Sequence, residues 1–195
     1  ANTGTWSTKA IKEAKLLGEV VELSSSKDAN FNYIPKEFDI PSNLDYLHIT
    51  TNNTIFGTQY KALPETNVPL ISDSSSDIFS RSLDFSKFDL LYAGAQKNMG
   101  PAGATLVVAK GDALGKVSRQ IPSMLDYKIH ADKDSMFNTP PVFAVYTSML
   151  TLEWLKQKGG ISAIEKENKA KAALMYGEID RNPLFDGFAA TEDLS

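Results

Sequence analysis

The sequence contains no cysteine, only two histidines and no long hydrophobic run, and each of these absences excludes a class of protein. Without cysteine there is no disulfide framework and no thiolate metal site. His48 and His130 are the only imidazoles, which excludes a multi-histidine metal centre. No apolar run reaches the roughly 18 residues that indicate a membrane span. No basic stripe is present, and the formal net charge of -4 argues against a nucleic-acid-binding surface.

The composition is otherwise that of an ordinary globular protein. The chain has 195 residues, of which 42% are hydrophobic and 23% are charged. This length provides enough core for a single sheet covered by helices, and a cytoplasmic protein is expected. The sequence has no initiator methionine, and its last residues show no closing element, so we expect it to be part of a longer protein.

Strand and helix patterns alternate along the chain and predict an α/β fold with a mostly parallel sheet flanked by helices. Short apolar runs predict strands at residues 19–23, 44–50, 68–72, 89–92 and 104–109. Helical spacing predicts helices at residues 5–18, 112–117, 142–158 and 161–180. Ser7 is the expected N-cap of the first helix, and residues 119–141 are expected to be irregular.

A glycine-rich segment around Lys97 is the centre of the functional prediction. Lys97 lies between two apolar runs and is surrounded by Gly94, Gly100 and Gly103. Glycines allow the backbone to turn tightly and a ligand to approach the main chain. A lysine on such a turn can act as a Schiff-base nucleophile. The alternative is a solvated lysine in a connecting loop, which is the commoner case for a single lysine among glycines.

Polar residues in three loops should meet at one edge of the sheet. In α/β sheets, ligands collect beyond the carboxyl ends of the strands, where residues 52–54, 73–76 and 96–97 are expected to lie. A lysine able to form an imine and an acid one strand away are what a protein contributes to a pyridoxal phosphate site, where the acid pairs with the pyridinium nitrogen. Asp73 suits that acid because it follows a buried run. It is equally well explained as a helix N-cap.

Five further side chains could complete such a cofactor site, although three of them also have an ordinary structural explanation. Trp6 could stack on a flat ring, although core packing is the usual role of an isolated tryptophan. Thr54 could donate to a ring oxygen or satisfy its own turn. Gln96, Asn138 and Thr139 are neutral donors suited to a phosphate near a helix start, and Thr139 could equally be a helix cap.

Five segments, in the same order along the chain, resemble motifs of the phosphoserine aminotransferase family. Its members are pyridoxal phosphate enzymes of the aspartate-aminotransferase-like fold, fold type I. The longest match is Tyr-Ala-Gly-Ala-Gln-Lys-Asn-Met-Gly-Pro-Ala-Gly at residues 92–103. The others lie at residues 5–10, 53–57, 73–76 and 135–141. Together they span nearly the whole chain.

The resemblance implies a role for each candidate residue. Lys97 would bind pyridoxal phosphate covalently and act as general base, and Asp73 would hold the ring nitrogen, so these two are the implied catalytic residues. The other implied cofactor contacts are Trp6 on the ring face, Thr54 on the ring hydroxyl, Gln96 on the phosphate, and Asn138 and Thr139 on the phosphate of the partner subunit in a homodimer.

The implied reaction moves an amino group between L-glutamate and 3-phosphohydroxypyruvate and yields phosphoserine for serine biosynthesis. The resemblance also implies a large cofactor-binding domain at residues 1–167 and the start of a small domain at residues 168–195. The family's substrate-binding arginines have no match, because Arg81, Arg119 and Arg181 lie outside its motifs. The isolated chain is therefore expected to be inactive.

Two alternatives remain open from the sequence. One is another fold type I enzyme, such as a serine–pyruvate aminotransferase or a cysteine desulfurase. The other is a non-catalytic domain that binds the cofactor, or nothing, and forms a dimer.

Overall fold

A four-stranded sheet lies at the centre of the computed structural model, which describes all 195 residues. The strands are β1 (Leu47–Thr50), β2 (Asn52–Asn53), β3 (Thr58–Gln59), β4 (Leu70–Asp73), β5 (Leu90–Gly94) and β6 (Thr105–Ala109). The main sheet has the order β1-β4-β5-β6, with two parallel pairings and an antiparallel β6. Strands β2 and β3 form a separate antiparallel hairpin. The prediction of a mostly parallel α/β sheet is confirmed.

The two faces of the sheet differ in burial because side chains alternate along each strand. Leu47, Ile49, Leu70 and Leu91 belong to a cluster of 12 buried hydrophobic residues that forms the core. The opposite face carries polar residues at the carboxyl ends of the parallel strands, including Asp73. This polar end of the sheet is where the candidate site lies.

Four α-helices accompany the sheet, and the first begins at the predicted residue but ends four residues earlier than predicted. They are α1 (Thr5–Ala14), α2 (Tyr127–Asp132), α3 (Val142–Gln157) and α4 (Gly160–Arg181). The N-cap of α1 is Gly4, so the prediction of Ser7 as the cap is wrong. Ser7 lies inside the first turn, where its hydroxyl accepts hydrogen bonds from the backbone N–H groups of Thr3 and Gly4, both at 2.9 Å. Ser7 therefore provides an acceptor for two backbone N–H groups at the start of the helix, although it lies inside the helix and is not its cap.

Three other predicted segments differ from the structure. Residues 19–23 form no strand, because no neighbouring strand pairs with them, and only an isolated bridge joins Asn2 to Ser25. The helix predicted at residues 112–117 is a single 3-10 turn at Gly111–Ala113. Helix α2 lies in the segment expected to be irregular, and the Asp126 carboxylate caps it by accepting from the Lys128 N–H at 2.9 Å.

Helices α3 and α4 follow one another with only two residues between them. Gly159 and Gly160 adopt φ values of 105° and 73°, which favour glycine and allow the chain to reverse between the helices. Helix α4 continues through residue 168 without a break, so the predicted boundary between residues 1–167 and 168–195 falls inside one helix. That division stays a prediction. None of the helices combines the length and hydropathy needed to cross a membrane.

Candidate active site

The candidate site lies where β1, β4 and β5 end together. These three strands are parallel neighbours, with Thr50 opposite Asp73 and Asp73 opposite Tyr92. The loops that follow them therefore leave the sheet at the same edge. These loops carry Thr54, Asp73 and Lys97, so the sheet brings the three predicted loops together.

Asp73 ends β4 with one carboxylate oxygen bound and the other free. Its Oδ1 accepts from the backbone N–H of Ser75 at 3.0 Å and from the Ser75 hydroxyl at 2.6 Å. No hydrogen bond reaches Oδ2. Residues 75–80 form turns rather than a helix, so Asp73 caps a turn and the helix N-cap alternative is wrong. The cap uses one oxygen and leaves the other for a ligand.

Lys97 lies on the turn of residues 95–99 that follows β5, and its side chain is exposed. Its Nζ makes no hydrogen bond and no ion pair, although the turn itself is anchored. Asn98 donates from Nδ2 to the carbonyls of Ser76 at 3.2 Å and Ile78 at 3.0 Å, which ties the turn to the loop after β4. The result is a free primary amine on a fixed backbone.

Gln96 is exposed beside Lys97, and its side chain folds back over Gly94. A Cβ atom at Gly94 would lie 2.5 Å from Gln96 Oε1 and 2.9 Å from Nε2, inside van der Waals contact. Glycine at this position therefore lets the amide of Gln96 lie across the end of β5. The amide makes no hydrogen bond within the chain and is available to a ligand.

Trp6 and Thr54 both face solvent. Trp6 is 41% exposed, which excludes a role in the hydrophobic core, and Lys9 Nζ lies 4.6 Å from its ring centroid. Thr54 is exposed at the tip of the β2–β3 hairpin, and its hydroxyl makes no hydrogen bond. Its turn backbone is satisfied without it, since Gly57 N–H donates to Asn53 O at 2.8 Å.

Asn138 and Thr139 are exposed in the segment between α2 and α3. Asn138 Nδ2 donates to Thr139 O at 3.1 Å. Pro141, not Thr139, is the N-cap of α3, so the capping alternative for Thr139 is wrong. No hydrogen bond joins these two residues to the loops that carry Asp73 and Lys97.

A histidine–tyrosine pair beside Asp73 was missed by the sequence analysis. His48 Nε2 lies 3.0 Å from the Tyr92 hydroxyl, on the same face of the sheet as Asp73. Burial, with a smaller contribution from the Ala1 amino group, lowers the pKa of His48 to about 4. Burial and then the charge of Asp73 raise the pKa of Tyr92. Both groups are neutral at pH 7. The sequence signal that could have paired them is that, with side chains alternating along each strand, both residues fall on the same face of the sheet as Asp73.

A second missed cluster holds the loops after β1 and β4 together. Thr51 Oγ1 donates to Asp77 Oδ1 at 2.6 Å, and Arg81 donates to Asp77 Oδ2 at 2.9 Å. Burial raises the pKa of Asp77, while the bonds from Thr51 and Arg81 act in the opposite direction. Asn52 Nδ2 adds a bond to Ser76 Oγ at 2.9 Å. These contacts hold the loop after β1 against the loop after β4.

Comparison with known proteins identifies the family of the chain. A family model described as aminotransferase class-V matches residues 1–193. A curated phosphoserine aminotransferase of Flavobacterium johnsoniae is 66% identical over 194 residues, with 100% of this chain and 54% of the relative covered. One of Bacteroides fragilis is 56% identical, with 100% of this chain and 55% of the relative covered. The chain thus spans about half the length of the curated relatives it matches.

Solved structures give the same result. Phosphoserine aminotransferase from Bacillus circulans subsp. alkalophilus superposes with a TM-score of 0.96 at 42% identity, covering 100% of this chain and 55% of that one. Pyridoxal phosphate-bound phosphoserine aminotransferase from Trichomonas vaginalis superposes with a TM-score of 0.91 at 35% identity, covering 100% and 59% respectively.

Proposed function

Because this chain belongs to the class-V aminotransferase family, we propose that it forms the cofactor-binding part of a pyridoxal phosphate-dependent phosphoserine aminotransferase. The whole protein would move an amino group between L-glutamate and 3-phosphohydroxypyruvate and produce O-phospho-L-serine. One observation carries the proposal. Lys97 Nζ is unpaired and Asp73 Oδ2 is free, and Asp73 ends β4 while Lys97 follows the neighbouring parallel strand β5 at the same edge of the sheet.

The side chains at this edge fit pyridoxal phosphate. The free carboxylate oxygen of Asp73 suits the protonated ring nitrogen, and the unpaired amine of Lys97 suits covalent attachment. Trp6 offers an exposed aromatic face, Thr54 an unbonded hydroxyl for the ring oxygen, and Gln96 an unbonded amide for the phosphate. When bound, the cofactor supplies an electron sink for amino-group transfer.

The chain's own residues would do two kinds of work in this reaction. Lys97 Nζ, as a primary amine, would accept and return a proton as general base. Asp73 would hold the proton on the ring nitrogen. The neutral His48–Tyr92 pair beside Asp73 brings no positive charge to that carboxylate, so its negative charge is left for the ring.

The substrate half of the site is expected outside this chain. Each of its three arginines is already engaged: Arg81 with Asp77, Arg119 with the Leu17 carbonyl, and Arg181 with Glu178. None of them lies in a segment that matches the family's motifs. Accordingly, the isolated chain should bind cofactor without turnover, and activity would belong to a longer protein that contains it.

The proposal includes a homodimer and a cytoplasmic location. Asn138 and Thr139 are exposed and have no hydrogen bond to the site of their own chain, which supports the expectation that they reach the cofactor phosphate of a partner subunit. Sedimentation of the longer protein would test the dimer.

Two alternatives compete with this function. The names of the curated relatives described above support phosphoserine aminotransferase over a serine–pyruvate aminotransferase or a cysteine desulfurase. A non-catalytic domain that binds cofactor is the expected behaviour of the isolated chain. It would be the function of the whole protein only if that protein, with cofactor bound, did not turn over.

The test begins with an absorbance spectrum of the chain after addition of pyridoxal phosphate. We expect a near-visible band, and after borohydride a stable adduct on the peptide that contains Lys97. Lys97→Ala should abolish both, and in the longer protein it should abolish turnover. Lys116→Ala is the matched control, because Lys116 is also exposed and follows β6 at the opposite edge of the sheet. A longer protein that stays colourless, or an adduct retained by Lys97→Ala, would refute the proposal.

A further inference from the structure

We infer that Ser75 is a positioning residue that fixes which oxygen of Asp73 is presented to the cofactor and couples that oxygen to the strand leading to Lys97. The inference rests on the proposed function, since it concerns the same site. Three hydrogen bonds carry it.

The Ser75 hydroxyl stands between the two catalytic loops. It accepts from the Gly94 N–H at 3.1 Å and donates to Asp73 Oδ1 at 2.6 Å. Gly94 is the last residue of β5 and lies three positions before Lys97. A displacement of the end of β5 is therefore transmitted through one hydroxyl to the carboxylate at the end of β4.

The hydroxyl and the backbone N–H of Ser75 together leave a single orientation for the Asp73 carboxylate. Asp73 Oδ1 has two donors, both from Ser75, while Oδ2 has none. A carboxylate held at one oxygen by a backbone N–H and a hydroxyl has lost most of its freedom about χ2, so Oδ2 points in a fixed direction. A hydrogen bond to a ring nitrogen depends on that direction, because such bonds weaken steeply away from linearity.

The chain contains a second turn of the same construction, which separates local geometry from the proposed role. Asp84 Oδ1 accepts from the Ser86 N–H at 3.0 Å and from the Ser86 hydroxyl at 2.6 Å, the same distances as at Asp73. Ser86 is exposed, and its hydroxyl accepts from no strand. The two turns differ in one hydrogen bond, because only the Ser75 hydroxyl also accepts from a strand, namely from the Gly94 N–H.

The first experiment needs no cofactor. We expect Ser75→Ala to speed amide hydrogen exchange at Gly94 by about tenfold, since that N–H loses its acceptor and a hydrogen bond is worth roughly that factor. Ser75→Thr keeps a hydroxyl and should keep the protection, while Ser86→Ala should leave exchange at Gly94 unchanged. If the exchange rate of the Gly94 amide were the same in Ser75→Ala and in the parent chain, the proposed coupling between Ser75 and the end of β5 would be refuted. This result does not depend on the protein's activity.

The second experiment measures the dissociation constant of pyridoxal phosphate by titrating the near-visible band. Ser75→Ala should raise it by about two- to tenfold, the usual cost of immobilising one mobile side chain on binding. Ser75→Thr should restore the parent value, and Ser86→Ala should not change it. If the parent binds and Ser75→Ala binds equally well, the positioning role is refuted while the proposed function stands. If neither the parent chain nor the longer protein that contains it binds pyridoxal phosphate, the proposed function and the positioning role both fall.

Discussion

Removal of Arg81 is a stringent test of how the loops behind the site are held, because it leaves a buried charge without its partner. The Asp77 side chain is 2% exposed and that of Arg81 17% exposed, with 2.9 Å between Arg81 Nη2 and Asp77 Oδ2. Losing one member of a buried ion pair typically costs about 3–5 kcal/mol. We expect Arg81→Ala to cost about 3 kcal/mol, because the bond from Thr51 remains.

Urea unfolding followed by circular dichroism measures this cost. The matched control is Arg181→Ala, since the Arg181–Glu178 pair is also an arginine–carboxylate bond at 2.8 Å but has side chains that are 73% and 47% exposed. An exposed pair of this kind contributes roughly 0–1 kcal/mol. Asp77→Asn in the Arg81→Ala background should recover most of the lost stability, because it removes the uncompensated charge.

The pH dependence of the variant supplies an independent check. Burial raises the pKa of Asp77, and in Arg81→Ala that pKa should rise further because the favourable charge is gone. A carboxyl group with a raised folded-state pKa favours folding while it is protonated and loses that contribution as pH rises through its folded pKa. The difference between Arg81→Ala and the parent chain should therefore be smaller near pH 4 than at pH 7. A cost no larger than that of Arg181→Ala, or one independent of pH, would refute this account of the cluster.

Three further predictions follow from single contacts. The pKa of His48 falls from 6.5 to about 4 on folding, so stability should decline as pH drops through that window, and His48→Asn should flatten the decline in urea midpoints. Gly100→Ala would place a Cβ atom 2.9 Å from Ser148 Oγ at φ 155° and should cost roughly 1–3 kcal/mol in the same assay; an unchanged midpoint would contradict this packing. Gly94→Ala should displace the Gln96 amide and weaken binding of pyridoxal phosphate in a spectroscopic titration, while the free energy of unfolding in urea stays within about 0.5 kcal/mol of the parent value. Equal affinity would argue against a phosphate contact by Gln96.

The sequence predicted those elements whose signal is local. Apolar runs located β1, β4, β5 and β6 to within a few residues, and helical spacing located α3 and α4. The strand expected at residues 19–23 failed because a strand forms only beside a partner, and none lies there. Helix α2 was missed because six residues are too few for a periodic pattern to appear.

The residues of the candidate site could be proposed from the sequence, but the contacts that hold them could not. Asp73 and Lys97 could be chosen from residue type and from their positions after apolar runs. The contacts that hold them depend on strand register, which no local pattern reveals. The Ser75 hydroxyl lies between Asp73 and Gly94 only because β4 and β5 pair with Asp73 opposite Tyr92. The His48–Tyr92 bond likewise joins two strands with β4 between them.

The acid and the amine of the site are held very differently, and the difference matches what each would have to do. The Asp73 carboxylate receives two hydrogen bonds from Ser75, so its free oxygen keeps one direction. Lys97 has no side-chain partner, and only the backbone of its turn is tied down, through Asn98. In the proposed amino-group transfer, Asp73 would have to stay aligned with the ring nitrogen, whereas the Lys97 amine would have to move in order to accept and return a proton. A fixed acid and a free amine on adjacent strands would satisfy both needs, and binding the lysine side chain as tightly as the carboxylate would hinder that movement.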